Sequence, residues 1–129
     1  MDLSLRGWVE LGGRRLEEDE IMAVLRDEPQ RISDFGGEFF LEWNDCRARD
    51  HFGIMPGSSP PGEVVCAGKR LARVDPCYPA LDLDQAIKTA VDLRSGEGVV
   101  ALSGGVDSAL VARLAGLECV VVGLPGSHD

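Results

Sequence analysis

Apolar and polar residues alternate along the first part of the chain. Over residues 3–11 apolar residues recur on odd positions, with Gly7 as a weak point, which is the period of a strand with one buried face. Two glycines at 12–13 predict a turn into a short strand around residues 14–16. Residues 17–27 space their apolar side chains at helical intervals, begin with acidic residues and stop before Pro29, so a short amphipathic helix is expected there.

Two hairpins are predicted after this helix. The first turns at Asn44-Asp45 between two strand-like runs, and the second turns at Ala67-Gly68 between two shorter runs. The expected strands are residues 35–43, 46–50, 64–66 and 71–74. The first half of the chain therefore predicts a β-rich domain.

Proline and glycine mark the boundaries of this domain. Residues 55–62 are rich in Pro, Gly and Ser and are expected to form a loop. Residues 75–79 contain two prolines and are the best candidate for a linker. We therefore expect a β-rich domain over residues 1–79 and a second domain over residues 80–129.

The second half predicts alternating helices and strands. Asp82 or Asp84 is expected to cap a helix that Gly96 and Gly98 terminate. A strand at 99–102, a helix at 107–116 and a strand at 119–122 are expected to follow. A strand–helix–strand unit rich in valine implies two parallel strands buried on both faces, so the fold class is α/β.

The chemistry of the chain is concentrated between the strand and the helix, in the run Ser-Gly-Gly-Val-Asp-Ser at 103–108. The first amides of a helix have no internal acceptor, and the helix dipole attracts anions to them. The two glycines allow a phosphate to approach the backbone, the two serines can donate hydrogen bonds, and Asp107 can share a divalent cation with a phosphate. This pattern predicts a pyrophosphate-binding loop; the alternative is a simple turn in which Asp107 or Ser108 is the helix N-cap. The run lacks the features of a Walker A loop and of a dinucleotide fingerprint.

The run at 103–108 resembles the Ser-Gly-Gly-x-Asp-Ser signature of the PP-loop ATP pyrophosphatases. Within that superfamily the chain is most similar to the asparagine synthetases. Residues 122–127, Val-Gly-Leu-Pro-Gly-Ser, resemble the end of the following strand in those enzymes. Residues 48–56, Ala-Arg-Asp-His-Phe-Gly-Ile-Met-Pro, resemble a segment of their glutaminase domain. The resemblance implies a small glutaminase-like remnant followed by the first strand–helix–strand of a parallel PP-loop (HUP-like) sheet.

The resemblance also implies an activity. Such enzymes split ATP into AMP and pyrophosphate while adenylating an oxygen, here on a carboxylate such as aspartate, and ammonia then forms the amide. ATP and Mg²⁺ are the implied cofactors, with Mg²⁺ at Asp107. The implied ATP-binding residues are Leu102, Ser103, Gly104, Gly105, Val106, Asp107, Ser108, Val122 and Gly123. Two alternatives stay open: a PP-loop enzyme of tRNA sulfur transfer or nucleoside modification, and a non-catalytic nucleotide-binding module.

Two departures from the family pattern limit these expectations. Glutaminases of this type use an N-terminal cysteine, whereas this chain begins Met1-Asp2 and its first cysteine is Cys46. The catalytic residues are therefore unknown, and Arg49 and Asp50 are interpreted as structural, for example as an ion pair. A PP-loop sheet needs about five parallel strands, so we expect a homo-oligomer or a further C-terminal segment to complete it. Activity is expected of the complete protein rather than of these 129 residues alone.

Composition narrows the choice of partners. The chain has 22 acidic and 13 basic residues and a net charge of −9, which argues against nucleic acid or an anionic membrane as a partner. It has no apolar stretch near the about 20 residues that span a bilayer and no signal peptide, so we expect a cytoplasmic protein. Its four cysteines are then expected to be free thiols, with Cys66 and Cys119 buried in strands. A metal site using Cys66 and Cys77 is the alternative.

Overall fold

The computed structural model describes residues 2–78, 80–123 and 126. The chain divides into two compact units, Met1–Pro79 and Ala80–Asp129. The fold is mixed α/β, with a six-stranded antiparallel sheet in the first unit and a two-stranded parallel sheet in the second.

The first unit is built on its antiparallel sheet, in which the strand order is β2-β1-β3-β4-β5-β6. Its strands are β1 (Leu3–Leu11), β2 (Arg14–Leu16), β3 (Gly36–Trp43), β4 (Cys46–Arg49), β5 (Glu63–Cys66) and β6 (Lys69–Arg73). Helix α1 (Glu18–Asp27) and a 3-10 helix (Pro29–Asp34) connect β2 to β3. The predicted strands, the helix and the loop at 55–62 are confirmed, with shifts of one or two residues at most ends.

Both predicted hairpins are present. Asn44 has a φ of 47° in the turn between β3 and β4, a left-handed conformation that asparagine tolerates better than most residues. Ala67 and Gly68 also have positive φ and form a two-residue turn between β5 and β6. Because this second turn is so short, β6 begins at Lys69, two residues earlier than predicted.

Helix α1 is fixed to the sheet by its apolar face and by an ion pair. Ile21 and Leu25 are buried, and the Arg14 guanidinium donates to both carboxylate oxygens of Glu20, at 3.0 and 2.7 Å. Glu20 also accepts a hydrogen bond from the Glu17 amide at 2.9 Å, which caps the start of the helix. The hydrogen bond from Arg14 is the main reason that the pKa of Glu20 falls to about 2.

The hydrophobic core of the first unit lies between the helices and one face of the sheet. The rings of Phe35 and Phe39 meet edge to face, with centroids 6.2 Å apart. The buried cluster consists of Val9, Leu16, Ile21, Leu25, Ile32, Phe35, Phe39, Leu41, Ala48, Val64 and Val74.

The second unit is a helix–strand–helix–strand segment. Its elements are α2 (Leu83–Asp92), β7 (Val100–Ala101), α3 (Val106–Ala115) and β8 (Cys119–Val120). Asp82, one of the two residues predicted as the cap, caps α2 by accepting a hydrogen bond from the Gln85 amide at 2.8 Å. Strands β7 and β8 are parallel, as predicted, but each is two residues long where four were expected.

The predicted burial of this parallel pair is wrong. Val120, Val121 and Val122 are 45%, 67% and 85% exposed, and no described residue of the second unit is buried. Two strands and two helices supply too few neighbours to cover both faces of a parallel sheet. The valine run is therefore an uncovered apolar surface.

The expectation of four free thiols is also wrong. Cys46 and Cys66 form a disulfide, since they are partners in the β4–β5 register with Cα atoms 4.0 Å apart. Cys77 and Cys119 are free and exposed; Cys119 is not buried as predicted because β8 has no cover. The disulfide removes Cys66 as a ligand for the alternative metal site, and the described residues contain no cluster of three metal-binding side chains.

Across residues 2–78 and 80–123, none of the helices has both the length and the apolar character that spanning a bilayer requires.

Candidate functional site

The loop between β7 and α3 is held together by its own serines. The Ser103 amide donates to Ser108 Oγ at 3.2 Å, and the two hydroxyl oxygens lie 3.0 Å apart. Ser108 Oγ donates to the Gly105 carbonyl at 3.0 Å. Because Ser108 has one hydroxyl hydrogen and gives it to Gly105, the hydrogen between the two hydroxyls belongs to Ser103. Both hydroxyl hydrogens thus have acceptors inside the loop, so its free donors are backbone amides.

The two glycines of the loop have different roles. Gly104 has a φ of +86°, a left-handed conformation that favours glycine. Gly105 is the N-cap of α3 with a φ of −78°, which any residue can adopt. A Cβ atom at Gly105 would meet only Ser103 Oγ, at 3.5 Å, and one at Gly104 would meet nothing within 4 Å. The outer face of the loop is therefore open to an incoming group.

The N-terminus of α3 presents unpaired donors to this open face. The first hydrogen bond of the helix runs from the Ala109 amide to the Gly105 carbonyl at 3.1 Å, so the amides of residues 106–108 precede it. The alternative in which Asp107 or Ser108 is the N-cap is wrong, because the cap is Gly105, which has no side chain to satisfy these amides. The backbone geometry suits an anion.

Asp107 lies in the first turn of α3 and its side chain is exposed. One carboxylate does not make a metal site, and no group of three potential ligands occurs in the described part of the chain. Mg²⁺ usually combines one or two carboxylates with substrate phosphates, so Asp107 fits a cation that arrives with a nucleotide.

The parallel register brings the other predicted residues to the same edge of the sheet. The Leu102 amide donates to the Val120 carbonyl at 2.9 Å, which aligns the carboxyl ends of β7 and β8. Val122 and Gly123 follow β8 at that edge, and Val122 and Val106 are 85% and 82% exposed. Within the Val-Gly-Leu-Pro-Gly-Ser run, residues 124, 125 and 127 lie outside the described residues.

The second unit also has an open groove of about 530 Å³ between α2, β7 and α3. Its lining residues include Val99 just before β7, Val100 at the start of β7 and Ala115 at the end of α3. These positions are at the opposite end of the strand from the serine loop. The groove is therefore separate from the predicted nucleotide site.

Arg49 and Asp50 do not form the expected ion pair. The Asp50 carboxylate is buried and accepts hydrogen bonds from the amides of Ile54 and Met55 at 2.9 and 3.0 Å. The Arg49 guanidinium donates to the carbonyls of Gly53 and Met55 at 2.6 and 2.7 Å. Neighbouring side chains at a strand end point to opposite faces, so each holds a different side of the same loop. Their role in this structure is to fix the backbone of the loop after β4.

Comparison of the chain with family models, with curated proteins and with solved structures finds no match in any of the three.

Proposed function

We propose that this chain is the ATP-binding part of an AMP-forming ATP pyrophosphatase related to the asparagine synthetases. The proposal includes adenylation of a small carboxylate such as aspartate, amide formation with ammonia, and a cytoplasmic location. The observation that carries it is the loop at 103–108. Hydrogen bonds of its two serines hold this loop together, and the amides at the start of α3 stay open beside Gly104 and Gly105.

The chemistry of the proposal is electrostatic. The amides of residues 106–108 would hold the departing pyrophosphate, and Asp107 would hold Mg²⁺ against it. Leu102, Val122 and Gly123 would lie along the adenosine through backbone groups. Mg²⁺ supplies charge neutralisation on the phosphates when it is bound.

The proposal also requires a cover for the parallel sheet. Val121 and Val122 are 67% and 85% exposed, and a parallel sheet is normally covered on both faces. A second copy of the chain or a further segment would complete the sheet. A net charge of −9 favours small-molecule substrates over nucleic acid.

Gly105→Ala tests the loop without straining it. The added methyl group would meet only Ser103 Oγ, at an ordinary contact distance of 3.5 Å, and φ at −78° accepts alanine. The methyl group would, however, lie where a phosphate must approach the amides. We expect unchanged thermal stability and a loss of Mg-ATP affinity of about tenfold or more, measured by isothermal titration calorimetry.

Gly96→Ala is the matched control, because it adds the same methyl group between α2 and β7, at a glycine that has no positive φ and no atom within 4 Å of the added carbon. Equal Mg-ATP affinity for Gly105→Ala and Gly96→Ala would refute the phosphate assignment. A pyrophosphate-release assay with aspartate and ammonia then separates an enzyme from a binding module. Binding without pyrophosphate release would replace the ligase proposal with a non-catalytic nucleotide-binding role.

A further inference from the structure

The disulfide joins two residues that lie directly opposite each other on β4 and β5. The Ala67 amide donates to the Asp45 carbonyl at 2.9 Å, next to the pair. Cys46 and Cys66 are therefore a non-hydrogen-bonded pair, the position at which antiparallel strands bring their Cα atoms closest. The two sulfurs meet on one face of the sheet without any break in the ladder.

The sheet around the disulfide has other interactions that hold it together. Residue pairs Arg47↔Val65 and Ala48↔Val64 continue the β4–β5 ladder beyond the cysteines. Ala48 and Val64 are also part of the buried core. The ladder and the core do not depend on the sulfur–sulfur bond, so the two thiols and the disulfide can both exist in the folded unit.

The disulfide is open to an attacking thiol. Both cysteines are half-buried rather than enclosed, and both line an open groove of about 370 Å³. The walls of this groove are largely apolar and include Leu25, Ile32 and Leu71. Leu71 is 66% exposed at the rim. A thiol on an apolar partner can therefore reach the sulfurs from solvent.

The two sulfurs have different neighbours. Cys66 is paired across the β5–β6 ladder with Lys69, whereas Cys46 is paired across the β3–β4 ladder with Trp43. Directly opposite residues share one face of a sheet. A lysine on the same face favours the thiolate form of a cysteine, which makes Cys66 the better leaving group.

We propose that Cys46–Cys66 is a reversible thiol–disulfide exchange site that a dithiol reduces through the apolar groove. The first thiolate of the dithiol attacks Cys46 Sγ, the sulfur–sulfur bond breaks, and its electron pair leaves on Cys66 as a thiolate beside Lys69. The second thiolate of the dithiol then attacks the first sulfur of the dithiol, which is bound to Cys46 in the mixed disulfide, and Cys46 leaves as a thiolate. The dithiol is oxidised to a disulfide, and the two cysteines take up its two electrons and two protons. This inference does not depend on ATP binding.

The first test is reduction of the folded protein. The air-oxidised chain should show two reactive thiols, Cys77 and Cys119, and four after dithiothreitol treatment in native buffer. Far-UV circular dichroism should be retained, and the total tryptophan fluorescence should rise because Trp43 loses the quenching disulfide beside it. Four free thiols before treatment, or reduction only at urea concentrations that unfold the sheet, would overturn the proposal.

The second test addresses the direction of attack. A short reaction with glutathione, stopped by acid and analysed by peptide mass spectrometry, should place the mixed disulfide on Cys46. Lys69→Gln should slow reduction about threefold, because Cys66 then leaves without a cation beside it. Arg73→Gln is the control. It removes a cation from the same strand, but Arg73 is paired with Glu63 and not with Cys66, so the reduction rate should stay unchanged. A glutathione adduct on Cys66, or equal rates for the two variants, would show that the assigned direction is wrong.

Discussion

Replacement of Asp50 by asparagine should destabilise the first unit strongly, although the side chain keeps its size. The carboxylate is 1% exposed and accepts hydrogen bonds from the Ile54 and Met55 amides at 2.9 and 3.0 Å. Hydrogen bonds to a charged group contribute about 1.5–3 kcal/mol each. Asparagine keeps one acceptor and turns an NH₂ donor toward the other amide, which leaves two buried donors facing each other.

The loss of one charged hydrogen bond, the weakening of the other and the unsatisfied donors together predict a loss of about 2–4 kcal/mol in the free energy of unfolding. For a unit of this size that corresponds to a fall of roughly 10–30 °C in the midpoint of thermal unfolding. Urea unfolding followed by tryptophan fluorescence measures the effect cleanly, because Trp8 and Trp43 both lie in the first unit and the chain has only these two tryptophans.

Asp45→Asn is the control, since Asp45 lies in the exposed turn of the first hairpin and loses the same charge. Its effect should stay within about 0.5 kcal/mol. If Asp50→Asn were as stable as Asp45→Asn, the two hydrogen bonds would not hold the loop, and a ligand-binding role for Asp50 would become the better explanation.

Two further predictions test the first unit. Gly7→Ala should cost more than about 4 kcal/mol, because φ is +86° and a methyl group would overlap the Glu38 carbonyl oxygen. Gly13→Ala has a similar φ of +83° with nothing within 4 Å, so it should cost only about 1–2 kcal/mol; similar losses in urea unfolding would show that the overlap is relieved by a small backbone shift. The Arg14 hydrogen bond lowers the pKa of Glu20 to about 2 from an ordinary value of 4.5, so Glu20 stabilises the fold above pH 4.5 and this contribution disappears as the pH falls to 2. In thermal unfolding across this range, the wild-type advantage over Glu20→Gln should shrink with falling pH, and a constant difference would contradict the ion-pair explanation.

The local features of the fold could be predicted from the sequence because they depend on neighbouring residues. Each hairpin turn has a residue that accepts positive φ, Asn44 in the first and Gly68 in the second, between two strand-like runs. The start of α2 at Asp82 and the glycine-rich entry to α3 follow from the same local rules.

The errors concern contacts between residues far apart in the chain. The disulfide depends on the β4–β5 register, which pairs residues 20 positions apart and is not visible in cysteine spacing. Arg49 and Asp50 were expected to pair with each other, but their partners are backbone groups whose positions depend on the path of the following loop. The valines at 120–122 are typical of a buried strand, yet burial depends on what covers the strand. In the candidate site, residue types predicted an anion-binding loop, whereas the mutual hydrogen bonds of Ser103 and Ser108 depend on how the loop folds between β7 and α3.

The absence of a buried side chain among the described residues of the second unit affects how the chain responds to heat. Cooperative melting needs a core that is lost all at once, and only the first unit has one. When the parallel pair has no cover, calorimetry should show one sharp heat-absorption peak from the antiparallel half, while α2 and α3 lose ellipticity gradually over a wide temperature range. Any molecule that covers the exposed valines would turn this gradual loss into a second peak. The number of peaks therefore reports whether the parallel sheet is covered.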